Sequence, residues 1–466
     1  IFPFFMINLL MGLLPIRPWP FYWVSQLGML PATVVFVNAG TQLGQLESLY
    51  GIISLPLLGS FALLALFPFI ARWLLAALKP RLILAAYPRP KQFDNNLIVI
   101  GAGSGGLVAS LIAATVKAKV TLIERHQMGG DCLNTGCVPS KALIRSARIA
   151  QYARRAEEFG LAPMSVEVNF PKVMQRVQNV IKTIEPHDSV ERFTELGVNC
   201  VQGDAKILSP WEVEVNGQTL TAKNIVIATG ARPRVPDIPG LAALDYLTSD
   251  TVWDIRDLPE RLLVVGAGPI GCELAQSFAR LGSKVTLVTR ADRLLPREDP
   301  EVSERVHAEF RRQHVKVHAN YNPLFFGAAE DEQTCVFSTP RGQRKLSFDR
   351  VLLAVGRSAN VEGLGLESLG IAVGPGGTVE VDAFLRTAIP TIFACGDVAG
   401  PYMFTHMASH QAWYAAVNAL FGRFRTFKVD YSVVPWATFT DPEVARVGLN
   451  EDEARAANIA FEVSRY

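Results

Sequence analysis

The 466-residue chain has little net charge and few cysteines. Its 45 Lys and Arg residues nearly balance its 43 Asp and Glu residues, so the formal charge of +2 gives no electrostatic argument for nucleic-acid binding, and no nucleic-acid partner is expected. Six cysteines are too few for a disulfide-rich scaffold of this length. Four of them are scattered and are expected to be small buried apolar side chains: Cys200, Cys272, Cys335 and Cys395.

Charged residues are absent from residues 18–46 and from residues 48–71. Each run is long enough to cross about 30 Å of hydrocarbon as a helix, and residues 52–78 are the cleaner candidate. Prolines interrupt the earlier run and predict a kinked or re-entrant segment. A buried core helix or a signal peptide is the alternative, although a signal peptide should be shorter and end at a cleavage site. After the second run come basic residues, with no acid before Asp94, which predicts that the chain after residue 90 is cytoplasmic.

A dinucleotide-binding pattern begins with the apolar residues 97–100, which predict a buried parallel strand. The sequence GAGSGG follows, and its glycines permit a tight turn and a close approach of the backbone to a pyrophosphate at a helix N-terminus. Glu124 ends the second predicted strand, where a carboxylate can accept hydrogen bonds from ribose hydroxyls. The glycines alone would also fit an ordinary turn, but the complete pattern predicts a nucleotide site. The glycines concerned are Gly101, Gly103 and Gly106.

The same pattern recurs at residues 262–271, too far away to share one βαβ unit, so a second cofactor is expected. No carboxylate occupies the position that corresponds to Glu124, which is Thr289. Arg290 and Arg293 follow, and arginine attracts a 2′-phosphate that an acid would repel. This favours NADPH, with NADH possible; alternatively, both arginines are solvated loop charges. The glycines of this second turn are Gly266, Gly268 and Gly271.

Two cysteines, Cys132 and Cys137, lie between glycines in the sequence GGDCLNTGCVPSK at residues 129–141. A pair at the start of a helix can close an accessible disulfide, and the helix N-terminus and nearby cations stabilise a thiolate. A structural cysteine pair or half a zinc site is the alternative, but a zinc site needs two more ligands, and only His126 is nearby. His406 and His410 also have helical spacing; we prefer a helix near a flavin to a metal pair, so no metal is expected.

Residues 129–139 resemble the active-site signature of the class I pyridine nucleotide-disulfide oxidoreductases, which include dihydrolipoamide dehydrogenase, glutathione reductase and mercuric reductase. The resemblance covers about residues 95–466. The sequences IVIATG at 225–230 and TIFACGD at 391–397 resemble two further family motifs, in the family's order. The resemblance implies an α/β fold with two Rossmann-like domains like those of glutathione reductase, FAD on the first and NAD(P)H on the second.

The resemblance also implies roles for individual residues. Electrons pass from nicotinamide to flavin and then to the Cys132–Cys137 disulfide, with Cys137 as the charge-transfer thiolate and Cys132 as the interchange thiol that attacks the substrate. Lys141 lies beside the flavin with Glu273 as its partner, unless Glu273 is an ordinary helix acid. Asp397 binds the ribityl chain. Thr229 and Gly230 mark the turn where the chain leaves the first nucleotide domain.

The sequence departs from the family near its end. The family has a dimer-forming interface domain with a late histidine as acid/base, whereas this chain stops at Tyr466 and has no histidine after His410. Together with the start at Ile1, this predicts a fragment of a protein that forms a homodimer when complete. Residues 1–75 resemble the end of a DedA-like (VTT, SNARE-associated) membrane domain.

These observations predict α-helical membrane segments, then the two nucleotide domains, then a truncated α+β interface domain. The expected divisions are membrane segments and linker 1–90, FAD domain 91–250 and 371–432, NAD(P)H domain 251–370, and interface domain 433–466. The expected enzyme is membrane-associated, contacts lipid, and reduces a disulfide-type or metal-ion acceptor. A quinone-reducing flavoprotein and the redox sensor of a membrane transporter are the alternatives.

Overall fold

The computed structural model describes residues 18–44, 55–329 and 332–466, and the chain divides into two units, residues 1–86 and 87–466. The prediction for residues 1–17, and the start of the predicted membrane run at residues 52–54, lie outside the described residues.

The described residues of the first unit form two helices, α1 (Pro18–Gly44) and α2 (Leu55–Ala85). They contact each other, and the Asn38 side-chain amide donates a hydrogen bond of 2.8 Å to the Ser60 hydroxyl. Val35 and Ala39 on α1 are buried, one turn apart on the same helix face. Both helices otherwise expose many large apolar side chains.

Among the described residues, no helix combines the length and the apolar character needed to cross a membrane. The membrane-crossing helices predicted from the two uncharged runs are therefore not supported. In α2 the uncharged part, residues 55–71, rises only about 26 Å before Arg72, less than the roughly 30 Å of a hydrocarbon core. In α1 charge is absent, but Ser, Gln, Asn and Thr side chains and Pro31 interrupt the apolar residues.

The second unit is built around a seven-stranded sheet in the order β3-β2-β1-β6-β5-β4, with β16 also paired to β6. Strands β1, β2, β3, β6 and β16 run parallel, and every residue from Leu97 to Ile100 is fully or partly buried, as the apolar run predicted. The strands are β1 (Asn95–Ile100), β2 (Val120–Glu124), β3 (Val198–Gln202), β4 (Ala205–Ser209), β5 (Glu212–Val215), β6 (Gln218–Ile227) and β16 (Ile392–Ala394).

Helices cover this sheet and carry the redox segment. The alanine-rich helices α3 and α10 pack closely against each other, because small side chains let their backbones approach. The helices around this sheet are α3 (Ser104–Thr115), α4 (Gly130–Asn134), α5 (Cys137–Arg154), α6 (Phe170–Ile184), α7 (Val190–Glu195) and α10 (Thr405–Phe421).

A second parallel sheet, β10-β9-β8-β14, forms the other nucleotide-binding layer, flanked by α8 (Pro269–Leu281) and α9 (Pro300–Arg312). Helix α8 packs on α5, and Phe278 of α8 contacts Phe170 of α6 at 5.9 Å between ring centroids, so α5 and α6 join the apolar core of the second nucleotide layer. The strands are β8 (Arg261–Val265), β9 (Lys284–Val288), β10 (Lys316–His318) and β14 (Arg350–Leu353).

Smaller elements complete the unit. An antiparallel sheet β11-β12-β13 follows β10, and a two-stranded ribbon pairs β7 with β15. A hairpin of β17 and β18 and the helix α11 (Glu451–Ala456), with a capping box at Asn450, end the chain. The remaining strands are β7 (Ala231–Pro233), β11 (Asn322–Ala329), β12 (Glu332–Thr339), β13 (Gly342–Phe348), β15 (Arg357–Ala359), β17 (Pro435–Thr438) and β18 (Val444–Val447).

Candidate active site

The two central cysteines lie where two short helices meet. Cys132 is on α4, and Cys137 is the first residue of α5, so its sulfur lies at a helix N-terminus, where the backbone dipole favours a thiolate. Gly130 has φ +54°, and a Cβ there would lie 2.6 Å from Cα of Gly103. Only glycine therefore lets the redox segment pack on the first glycine-rich turn.

Both cysteines are thiols in this structure, and they interact with each other. The hydrogen bond from Cys132, together with the Thr405 hydroxyl and the Lys141 charge, lowers the pKa of Cys137 to about 6. The same interaction with Cys137, together with burial, raises the pKa of Cys132. Cys137 is thus the thiolate of the pair at neutral pH, and Cys132 keeps its proton.

Thr405 is a residue that the sequence reasoning missed. Thr405 is the first residue of α10, and its Oγ1 lies 3.2 Å from Cys137 Sγ.

We expect Thr405→Val to raise the pKa of Cys137 by about one unit, because one hydrogen bond to a thiolate contributes about 1.5 kcal/mol. The pH dependence of iodoacetamide alkylation of the reduced protein measures this shift. Ser409→Ala, one turn along the same helix, is the control, and an unchanged profile in Thr405→Val would contradict the role.

Lys141 and Glu273 come together from α5 and α8, as the family resemblance implied. Lys141 Nζ lies 3.2 Å from Glu273 Oε2, and the Glu273 side chain is only 8 % exposed. Glu273 Oε1 also accepts a hydrogen bond of 2.9 Å from the Phe439 amide, and Lys141 Nζ lies 4.1 Å above the Phe439 ring. The cation beside Cys137 is therefore fixed by a nearly buried carboxylate and an aromatic face.

The first glycine-rich turn has the shape of a nucleotide cradle. Glu124 lies at the end of β2, and its carboxylate accepts hydrogen bonds from the amides of Ala102, at 2.6 Å, and His126, at 2.8 Å. A Cβ at Gly106 would lie 1.7 Å from the Gly101 carbonyl oxygen, so the start of α3 can approach β1 only without a side chain there.

A cluster around Arg357 joins this cradle to the redox segment. Arg357 pairs with Asp131, which precedes Cys132, and with Asp397, its Nε lying 3.5 Å from Asp397 Oδ2. Burial raises the pKa of Asp397 to about 6, against the opposing charge of Arg357. The sequence reasoning missed Arg357 and Asp131, although the run VGRSAN at residues 355–360 was the available signal.

Two further contacts hold this region in place. Thr229 and Asn360 exchange hydrogen bonds of 2.7 and 2.9 Å directly after β6. The buried Trp253 indole donates to the carbonyl of Thr135, at 2.9 Å, and to that of Ser249, at 2.6 Å. The redox segment is thus tied to the connection between the two nucleotide layers, a link that no local sequence pattern indicates.

The residues present fit FAD. Arg357 Nε is buried and has no hydrogen-bond partner among the described residues, and it lies beside the partly buried carboxylate of Asp397. The Arg357 Nε–H donor and the Asp397 carboxylate acceptor, both near a glycine-rich turn, suit the diphosphate and hydroxyl groups of a dinucleotide. The residues that would hold FAD are Gly101, Gly103, Gly106, Glu124, Lys141, Thr229, Gly230 and Asp397.

The second glycine-rich turn is built in the same way. A Cβ at Gly271 would lie 2.0 Å from the Gly266 carbonyl oxygen, so α8 also starts in close contact with its strand. Arg290 and Arg293, the two candidate arginines after β9, differ in their contacts. Arg293 donates to the carbonyl of Pro296 at 3.2 Å and pairs with Asp292. Exposed Arg290 has no ion pair or side-chain hydrogen bond among the described residues. Of these two arginines, Arg290 is the one whose side chain has no partner among the described residues.

The two histidines on α10 contact backbone carbonyls. His406 Nε2 lies 2.6 Å from Pro435 O, and His410 Nε2 lies 2.9 Å from Asp430 O. No group of three or more potential metal ligands occurs in the part of the chain that the structure describes. An open groove of about 950 Å³ lies beside Cys137, lined by residues of α5, α6, the start of α10 and Phe439.

A comparison with known families matches residues 95–412 to the family described as pyridine nucleotide-disulphide oxidoreductase. This match covers more than half of the chain and contains both glycine-rich turns and the cysteine pair. The chain belongs to this family. The predicted class, its α/β flavoprotein disulfide reductase fold and the FAD that the family implies are therefore supported.

The relatives have several activities. The mercuric reductase of Staphylococcus aureus is 34 % identical over 78 % of this chain and 66 % of its own length. The dihydrolipoyl dehydrogenase of Chlamydia pneumoniae is 35 % identical over 81 % of this chain and 80 % of its own length. The HOCl-induced flavoprotein disulfide reductase RclA of Escherichia coli has a similar structure, with TM-score 0.68, 28 % identity and coverage of 78 % and 79 % of the two chains. The chain thus spans slightly less than two thirds of the first of these relatives.

Proposed function

We propose that this chain is the redox portion of an NAD(P)H-dependent, FAD-containing oxidoreductase that reduces a disulfide-type or metal-ion acceptor through Cys132 and Cys137. The observation that carries the proposal is the Cys137 thiolate at the start of α5, beside the Lys141–Glu273 pair and against the first glycine-rich turn. The names of the relatives, which include mercuric reductases and dihydrolipoyl dehydrogenases, agree with this class of reaction.

Cofactor, lysine and cysteines have separate roles in the proposed reaction. FAD, when bound, supplies the chemistry that accepts a hydride equivalent from NAD(P)H and returns two electrons to sulfur. Lys141 holds a positive charge beside Cys137 and keeps it ionised, while Glu273 and Phe439 fix the direction of that lysine. Cys132 donates its S–H to Cys137, so the proton that Cys132 must lose before attacking an acceptor lies between the two sulfurs.

For a disulfide acceptor, the reduced pair, with one proton on Cys132 and none on Cys137, gives up two electrons and that proton and closes the Cys132–Cys137 bond, and the second proton that the acceptor's thiols need comes from solvent. The acceptor's sulfur–sulfur bond opens into two thiols, first through a mixed disulfide with Cys132. NADPH oxidation by the full-length protein, measured with lipoamide, glutathione disulfide, mercuric ion and a quinone, tests the proposal. Activity restricted to the quinone and retained in Cys132→Ser would favour the quinone-reducing alternative and refute the sulfur route.

The proposed nicotinamide cofactor is NADPH, with NADH possible. We expect Arg290→Gln to raise KM for NADPH about tenfold and to leave KM for NADH unchanged, because a charge-assisted hydrogen bond to the 2′-phosphate contributes about 1.5 kcal/mol. Steady-state kinetics with both cofactors measures the effect, and NADH is the internal control. Equal changes for both cofactors would show that Arg290 does not read the 2′-phosphate.

Membrane attachment through residues 1–86, with the catalytic unit on the cytoplasmic side, remains part of the proposal. Its support is the resemblance of residues 1–75 to a DedA-like domain and the exposed cluster of Trp19, Tyr22 and Trp23 on α1. Aromatic rings of this kind are enriched at the level of lipid headgroups. A homodimer of the complete protein is likewise proposed from the family resemblance.

A further inference from the structure

Six exposed basic residues lie at the end of the seven-stranded sheet where β1 and β2 begin and where β6 starts to pair with β1, opposite the glycine-rich turn. Two come from the turn before β2, one from the middle of β6, and three from the loop after α10. We call this group the basic edge; it comprises Lys117, Lys119, Lys223, Arg423, Arg425 and Lys428.

Backbone and side-chain hydrogen bonds bring these segments together. The Lys119 amide donates to Asn96 Oδ1 at 2.9 Å, which joins the start of β2 to the start of β1. Asn224, next to Lys223 on β6, donates to the Ala419 carbonyl in the last turn of α10 at 2.7 Å. Asn418 accepts from the Phe427 amide at 2.8 Å and fixes the loop after α10.

The positive charge of the basic edge is not neutralised by ion pairs. Among the described residues, none of its six cations forms a salt bridge. Acids in the neighbouring segments have other partners: Asp94 accepts hydrogen bonds from Thr221, Asp382 pairs with Arg386, and Asp430 accepts a hydrogen bond from the Ser432 amide. Hydrogen bonds from Thr221 and, more weakly, the charge of Lys119 lower the pKa of the Asp94 carboxyl. The Asp94 carboxylate offsets at most one of the six positive charges.

Large apolar side chains are exposed among these cations. Phe424, between Arg423 and Arg425, is 86 % exposed, and Val116, next to Lys117, is also exposed. The Arg425 guanidinium lies 4.9 Å from the ring centre of Phe427 and leaves Phe424 uncovered. Phe424 thus places an exposed apolar ring directly between two cations, a combination typical of segments that lie at a membrane interface.

We propose that the basic edge docks on the surface of an anionic phospholipid bilayer. Lysine and arginine near such a surface are attracted to it, and an exposed phenylalanine between them can insert at the headgroup level. In the sequence, only residues 87–94 lie between the first unit and the start of β1, so this argument rests in part on the membrane attachment of residues 1–86 proposed above. The proposal concerns the second unit and does not depend on the acceptor or on the redox chemistry.

Co-sedimentation of the full chain with vesicles tests the proposal. Vesicles of phosphatidylcholine alone measure attachment through the first unit, and vesicles that also contain phosphatidylglycerol measure the added contribution of the basic edge. Each cation near an anionic surface contributes about fivefold to partitioning, so we expect Arg423→Gln/Arg425→Gln/Lys428→Gln to lose about 100-fold of the phosphatidylglycerol-dependent binding. Phe424→Ser should weaken binding to these vesicles without changing its salt dependence.

The matched control removes the same charge from the β12–β13 hairpin, with Arg341→Gln/Arg344→Gln/Lys345→Gln, and should leave binding unchanged. Equal binding of the unaltered chain to both vesicle types would overturn the proposal while leaving attachment by the first unit intact. Binding to neither type would overturn both. A third outcome would also overturn the proposal: if the chain binds duplex DNA tightly through the basic edge, and Phe424→Ser binds it equally well, the occupant is a nucleic acid. On the anionic vesicles, amide hydrogen exchange should slow at residues 421–428 and 116–119 and should not change elsewhere in the second unit.

Discussion

Replacing Cys137 with serine should lower NADPH-dependent reduction of a disulfide acceptor by at least about 10³-fold. The serine hydroxyl cannot ionise near neutral pH or form a sulfur–sulfur bond, so both the thiolate beside Lys141 and the redox bond are lost. Steady-state NADPH oxidation with lipoamide or glutathione disulfide measures the loss.

The matched control is Cys200→Ser, which removes a half-buried cysteine on β3 that has no part in the site. The pH dependence gives a second readout. Because the pKa of Cys137 is lowered to about 6, alkylation of this residue in the reduced protein should be constant above that pH and fall about tenfold per unit below it. Full activity in Cys137→Ser, or a midpoint near the ordinary thiol value, would refute the assignment.

Replacing Arg357 with methionine should weaken FAD binding by about 10- to 100-fold. Arg357 is the guanidinium that pairs with both Asp131 and Asp397, and without it these carboxylates repel each other beside the glycine-rich turn. Loss of charge-assisted hydrogen bonds of this kind costs about 1.5–3 kcal/mol. Titration of the apoprotein with FAD, followed by flavin fluorescence, measures the dissociation constant.

Arg232→Met is the matched control, because Arg232 pairs with the exposed Glu362, donates to Asn360 and to the Ala359 carbonyl, and lies outside the Asp131–Asp397 pair. It should leave FAD affinity within about threefold of the unaltered chain. In Arg357→Met the pKa of Asp397 should rise further, so the remaining FAD affinity should depend more steeply on pH between about 5 and 7. Unchanged FAD affinity would show that the Arg357 cluster is not part of the cofactor site.

The local patterns of the nucleotide-binding regions were readable from the sequence. Strand, glycine-rich turn and helix are contiguous, so residues 97–106 and 262–271 contain all the information that their shape requires. The cysteine pair was equally clear, since CxxxxC between glycines places Cys137 at a helix start within a single short segment. In these segments the structure has the elements that the sequence predicted.

Other features were outside the reach of local patterns. The uncharged runs predicted membrane-crossing helices, which the described helices do not support, because absence of charge does not by itself provide the required apolar length. Thr405 lies 268 residues from Cys137 in the chain, and Arg357 lies 226 residues from Asp131. Their roles depend on contacts that no periodicity or spacing records.

The amino-acid order alone determined that this chain has two glycine-rich nucleotide turns and a helix-starting cysteine pair, because each feature is fixed by residues adjacent in sequence. Folding decided which sulfur is ionised, which of the two arginines after β9 is left without a partner, and which cation joins the redox segment to the cofactor cradle. These outcomes depend on burial and on charges from distant segments, and such distances exist only once the chain is packed.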